Sequence, residues 1–358
     1  MENTTHFEQS NLTHGQQLMW LGQKLQPKVP LYNMSHTHTI QGAFDTAIFQ
    51  QAFSAFTQVS DNFRTVVREI EDIPQAIVLD TIDDTVEIID FSAMANPQIS
   101  FEQWLDSRRA QIINIDKKLF DTAIVKLSDT EHVWYFGQHH FMTDGISVVL
   151  AYTHISNLYR QLADNQTIDL PNLPDYSAYK AHEQAIQNTV SYQKATNHWQ
   201  TQLNKPSEPI PFYATGNAKG TVRTERVPVE LGAERIEKLE QLSQRKGFRS
   251  FSKDMTYSNI FASLIFAYMY RISQNETLRL GTPFANRSTP DFQQTLGLFI
   301  EVLSLTVDIQ VDDNFQTLVK KVGASNFGAL QHLQAGIGTA EHNRAYDVLM
   351  NFVTGTFF

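Results

Sequence analysis

Gln138-His139-His140-Phe141-Met142-Thr143-Asp144-Gly145 is the stretch on which the reading of this chain turns. Upstream, residues 123–127 and 132–140 carry strand-like alternation. Ser128, Asp129, Thr130 and Glu131 supply a turn between them, so the pair reads as a hairpin. Downstream, from Ile146, the hydrophobic period changes from 2 to 3.6, and Val148, Tyr152, Ile155, Tyr159 and Leu162 line one face of a long helix. The histidines and the aspartate thus stand where a strand pattern ends and a helix pattern begins, a position from which side chains reach into clefts.

Adjacent strand residues point to opposite faces, so His139 and His140 are poorly placed to hold one metal ion, and no cysteine is present to help. No metal is expected here. The better reading divides the labour: one imidazole faces a cleft as a base and the other packs into the core. Asp144 and Gly145 shape the turn, and a buried Asp144 needs a cation.

The rest of the chain supports a large mixed fold. Its 358 residues exceed what one hydrophobic core usually serves, which predicts two lobes. A formal charge of −10 is a poor match to a phosphate backbone, so no nucleic-acid partner is expected. The absence of cysteine removes disulfides, thiol nucleophiles and thiolate zinc sites. Residues 1–11 are polar and do not read as a signal peptide, and the apolar run 260–270 is too short for a bilayer. The expectation is a soluble, cytoplasmic protein with no membrane partner. There is no GxGxxG, P-loop, GxSxG or HExxH.

Along the chain, Thr13 is a candidate N-cap for a helix over 12–25, and Asp45 for one whose stripe is Ile48, Ala52, Phe56, Val59 and Phe63. Strands are predicted at 34–40, 65–70, 76–80 and 85–89, and a charged helix over 101–118. Pro171, Pro174, Pro206, Pro209 and Pro211 mark linkers on either side of helices at 176–187 and 191–203. Alternation resumes with strands at 223–231, 278–282, 298–309 and 345–353, and helices at 234–246, 257–273 and 315–334. The class is α/β (α+β), with an amino-terminal lobe over 1–175, a linker region over 176–220 and a second lobe over 221–358.

His139-His140-x-x-x-Asp144-Gly145, followed by Ile146-Ser147 and an amphipathic helix, resembles the HHxxxDG motif of nonribosomal peptide synthetase condensation domains, relatives of chloramphenicol acetyltransferase. Further stretches match in order. Thr13, Gly15, Gln16, Met19 and Trp20 resemble the opening "TxxQxxMW" segment, and Phe63-Arg64-Thr65 the "LRT" of the second motif. Asp175-Tyr176-Ser177-Ala178-Tyr179 resembles "DYAxW", and His198-Trp199 with Leu203 resembles "YWxxxL". Gly281-Thr282-Pro283 with Asn286-Arg287 resembles the "GxP" and arginine loop, and Leu296-Gly297-Leu298-Phe299-Ile300 with Leu303 the "hGxFhNTL" strand. Three departures stand out. Val59-Ser60-Asp61 replaces "RHE", Glu301 stands where the family has Asn, and "HQDxP" has no counterpart near 332–338.

The resemblance implies two acetyltransferase-like lobes in a V-shaped pseudo-dimer, the second incomplete at its carboxyl end. It implies acyl transfer from a donor carrier-protein thioester to the amine of an acceptor aminoacyl thioester, with His140 as the catalytic residue. His139, Asp144, Gly145, Arg287 and Arg64 would support the site, Arg287 being the first candidate cation for Asp144 and Arg64 the second. No cofactor binds the domain itself, because substrates arrive on the phosphopantetheine of donor and acceptor carrier proteins; an adenylation domain is a further expected neighbour. An ester-forming or free-standing enzyme with an alcohol or soluble amine acceptor, and a carrier-recruiting domain without catalysis, stay open as alternatives.

Overall fold

The computed structural model describes residues 10–212 and 224–353. They divide into two compact units. The first holds the residues up to Gln184 together with Arg287–Phe299, and the second holds Ala185–Asn286 and the residues from Ile300 onward. The fold is of the mixed α/β class.

In the first unit, helix α1 (His14–Leu25) opens on a capping box: the Thr13 hydroxyl accepts from the Gln16 N–H while the Gln16 side chain accepts from the Thr13 N–H. Strand β1 (Asn33–Gln41) leads to α2 (Thr46–Val59), whose first turn is capped by the Asp45 carboxylate. Phe49, Ala52, Phe53, Phe56 and Thr57 form the buried face of α2. Of the predicted stripe, Ala52, Phe56 and Phe63 are buried, whereas Ile48 and Val59 are half-buried. A hairpin, β2 (Thr65–Ile70) and β3 (Ile73–Val78), is followed by β4 (Glu87–Asp90) and α3 (Pro97–Arg109). Helix α3 stops well before residue 118, and beyond it the Asn114 side chain accepts from the Asp116 N–H in a local turn that competes with helix.

Strands β5 (Phe120–Lys126) and β6 (Glu131–His139) form the predicted hairpin, and the sheet order is β1-β6-β5-β4, with only β4 and β5 parallel. Helix α4 (Gly145–Ala163) covers one face of this sheet beside α2. Phe53, Phe56, Phe63, Phe120, Trp134 and Phe136 are fully buried there, and each such side chain stabilises the unit by about 1.5–3 kcal/mol through apolar burial. Helix α5 (Tyr176–Ile186) runs to the edge of this unit.

The second unit contains α6 (Val190–Leu203), α7 (Gly232–Ser243), α8 (Lys253–Ser273) and the antiparallel strands β7 (Thr277–Ala285) and β8 (Ile300–Asp308), followed by α9 (Phe315–Gln331). Phe266 and Met269 of α8, Leu280 of β7, Leu303 and Leu305 of β8 and Val322 of α9 are central to its core. Two strand expectations are corrected. Residues 224–231 are exposed and form no ladder; Arg223 lies outside the described residues. Over 345–353 only Leu349 pairs, in one parallel bridge to Gly281. Gly281 is required at that bridge, because a Cβ there would stand 2.5 Å from the Tyr346 ring. Among the described residues no helix is long and apolar enough to cross a membrane.

Candidate functional site

Strand β6 ends on His139, and His140 opens the short turn that follows. His139 is the last ladder residue, paired with Asn33 of β1, and its N–H donates to Leu119 O at 2.7 Å. Its Nδ1 accepts from the Phe141 N–H at 3.2 Å, capping the 3-10 turn His140–Met142. The ring is fully buried, and burial, reinforced by His140, lowers its pKa to about 4. His139 is therefore a neutral core imidazole whose lone pair holds the turn.

His140 opens that turn and is half-buried. Its N–H donates to Tyr32 O at 2.8 Å, and its carbonyl accepts from the Thr143 N–H at 3.4 Å. Phe141 and Met142 anchor the turn in the core, and Gln16 Nε2 donates to Phe141 O at 3.2 Å. Nδ1 of His140 is buried with no hydrogen-bond partner among the described residues, so Nε2 is the ring nitrogen a reactant could approach.

Asp144 caps α4, its Oδ1 accepting from the Ser147 N–H at 2.8 Å. Arg287 Nη2 donates to Oδ1 at 2.8 Å and Oδ2 at 3.0 Å, and the Phe299 N–H donates to Oδ2 at 3.2 Å. The guanidinium is itself held: Nη1 donates to Phe292 O and Thr295 O, Nη2 also donates to Ser147 Oγ, and the Phe299 ring lies 4.0 Å beneath it. Ser147 Oγ closes the network by donating to Gly297 O and accepting from the Gly297 N–H. Both charges are buried, and every oxygen of the carboxylate has a donor.

Two expectations change here. The sequence division puts Arg287 in the second lobe; the structure packs its whole segment, Arg287–Phe299, into the first unit. Arg64 does not reach Asp144, because its Nη1 donates to Leu79 O at 2.7 Å, across the β2–β3 hairpin. Ser147, which in sequence looks like an ordinary first-turn residue, is a hub of the network. Nothing local could have revealed this, since its partners at Gly297 and Arg287 lie about 150 positions away along the chain. Gly145 is exposed at the start of α4, and a Cβ built on it meets nothing within 4 Å. As in any helix, its first-turn N–H has no intrahelical acceptor. Among the described residues no three His, Cys, Asp or Glu side chains cluster as a metal centre would require.

The condensation-domain family matches residues 8–345. The chain belongs to that family. Condensation domains are acyltransferases that form amide bonds, and this is the reaction class of the chain. It is 24% identical over 328 residues to malpinin synthetase of Mortierella alpina, covering 90% of this chain and 4% of that protein. It is 26% identical over 336 residues to surfactin synthase subunit 1 of Bacillus subtilis, covering 92% of this chain and 9% of that protein. The domain thus spans a small fraction of the synthetases it resembles. Among solved structures, the first condensation domain of the calcium-dependent antibiotic synthetase, in complex with a substrate analogue, superposes with a TM-score of 0.80 at 20% identity, over 95% of this chain and 79% of that one. A mutant of the starter condensation domain of rhizomide synthetase, in complex with C8-CoA, gives 0.79 at 19% identity over 95% and 77%. At these identities the structural likeness speaks for the fold.

Proposed function

We propose that this domain transfers the acyl group of a donor carrier-protein thioester to the amine of an acceptor aminoacyl thioester, with His140 as the base. One observation carries the assignment. His140 is the half-buried imidazole on a turn pinned from both sides, with Nδ1 buried and Nε2 available. The acceptor nitrogen attacks the donor carbonyl and the C–S bond breaks. Nε2 takes the ammonium proton and returns it to the leaving sulfur, giving an amide and a free carrier thiol. A neutral amine is already nucleophilic, so positioning supplies much of the rate. The exposed first-turn N–H of Gly145 is the candidate donor to the developing oxyanion. Asp144, Arg287 and His139 serve by holding the turn. Both substrates arrive on phosphopantetheine, and the carriers and a neighbouring adenylation domain are the proposed partners.

The test mixes the domain with paired acyl-loaded carriers and reads amide product by intact mass. His140→Ala should lower the rate about 10²–10⁴-fold while carrier binding stays within about twofold. An unchanged rate with every acceptor would remove His140 from the mechanism.

A further inference from the structure

The second unit holds a cavity of about 360 Å³ between α6, β8 and α9. Along β8, Leu303, Leu305 and Val307 face the core, so the strand's alternation turns Ser304, Thr306 and Asp308 to the other side, where they line the cavity. Ser304 is 1% exposed and Thr306 7% exposed, and the hydroxyl of each is buried with no hydrogen-bond partner among the described residues. Two unpartnered buried hydroxyls on one strand are unusual, because each costs about 1–3 kcal/mol in desolvation.

The remaining polar lining is rich in donors. Gln202 of α6, Lys205 and Lys321 all face the cavity. Lys205 Nζ gives one hydrogen bond, to Asp308 Oδ2 at 2.8 Å, so two of its three N–H groups stay available. Asp308 is the carboxylate in the lining; it already accepts from Lys205 and from Thr277 Oγ1 at 2.9 Å. Lys321 is held by Asp313 and by Asp308 O. The lining carries two ammonium groups, Lys205 and Lys321, against one carboxylate, Asp308, which favours an anionic ligand over a cation. We propose that this cavity binds a small oxyanion, a phosphate or carboxylate group, through the Ser304 and Thr306 hydroxyls and the Lys205 ammonium. None of these residues belongs to the His139–His140 turn or to the Asp144 network.

The cavity carries its own reporter. His198 lines it and stacks on His332 with centroids 3.9 Å apart and planes inclined by 2°. Burial, and then the neighbouring His332, hold the His198 pKa below its ordinary value. Lys205, Lys321 and Asp308 are the other charged groups in the lining. An anion in the cavity favours the imidazolium, so binding raises the His198 pKa. The experiment follows the histidine side-chain resonances of the intact chain by NMR while inorganic phosphate, or acetate in a parallel arm, replaces chloride at constant ionic strength. The expected result is a saturable shift of His198 in at least one arm; the arm that saturates at lower concentration identifies the group bound. The apparent affinity should weaken about tenfold in Lys205→Gln and in the pair Ser304→Ala with Thr306→Val, each checked for a parent-like melt. A His198 resonance unmoved by both anions overturns the proposal, as does a shift that survives in both variants.

Discussion

Around Asp144 in the first unit, a buried carboxylate accepts from an arginine and two backbone N–H groups, and the serine beside it bonds three further atoms. On β8 in the second unit, the equally buried hydroxyls of Ser304 and Thr306 have no partner among the described residues. The chemistry of burial is the same in both places and the accounting differs. In the first, the protein itself satisfies the polar atoms, so the cluster fixes geometry: it ties the start of α4, and the turn that carries His140, to the segment Arg287–Phe299. In the second, polar atoms are desolvated without return, which is what a surface prepared for a ligand requires. The saturated cluster should therefore respond to substitution with large stability losses, and the unsaturated one with almost none.

The largest effect is expected at the ion pair. Asp144→Ala leaves a buried guanidinium without its anion, and Arg287→Ala leaves a buried carboxylate without its cation. Each should destabilise the domain by about 3–5 kcal/mol. The double variant should lose less than the sum, because it leaves neither charge orphaned. Urea melts of the four proteins measure the coupling, and additive losses would mean that the pair is not the energetic unit described above.

Next comes the acid limb of stability. His139 is neutral in the folded domain, with a pKa lowered to about 4 by burial, whereas its unfolded value is near 6.5. The unfolded chain therefore binds a proton that the folded one refuses. The stability due to neutral His139 is fully present above about pH 6.5 and is lost as pH falls toward 4, by roughly 3 kcal/mol in total. His38 and His342, also lowered to about 4 by burial, add to the same limb. His139→Gln, which keeps an acceptor for the Phe141 N–H, should flatten the urea midpoint between pH 6.5 and 4. An unchanged slope would mean that His139 titrates normally and is not the buried imidazole described.

What can be read from the amino acids follows the range of the interaction involved. The hairpin β5–β6, the start of α4 and the caps Thr13 and Asp45 depend on neighbours within a few residues, and pattern alone locates them. The α2 stripe read from pattern holds at Ala52, Phe56 and Phe63 and misses at Ile48 and Val59; Ile48 and Phe49 are both apolar, and only the sheet beneath decides which is buried. Residues 224–231 alternate as a strand should, with Val227 and Val229 outside, yet form no ladder, because alternation is necessary for pairing and does not provide a partner. Resemblance names Arg287 as the cation for Asp144, but its packing with the first unit, across 143 positions of chain, has no local signature. Ser147 and Ser304 look alike in sequence, each a serine among apolar residues, and only tertiary structure separates a saturated hydroxyl from an unpartnered one.

That pair of serines gives the smallest and cleanest contrast, since one substitution is made twice. Ser147→Ala removes the acceptor of the Gly297 N–H, the donor to Gly297 O and one acceptor of Arg287 Nη2, all buried. Leaving those groups short of partners should cost about 1–3 kcal/mol. Ser304→Ala removes a hydroxyl that bonds nothing among the described residues, and the Ser304 N–H still donates to His342 Nδ1 at 3.3 Å. Its stability should stay within about 0.5 kcal/mol of the parent or rise slightly, because the desolvation penalty of the hydroxyl goes with it. Melts of the two variants in phosphate-free buffer compare them directly. A loss at Ser304 equal to that at Ser147 would show that the β8 hydroxyl is satisfied after all, and the distinction between the two clusters would fall with it.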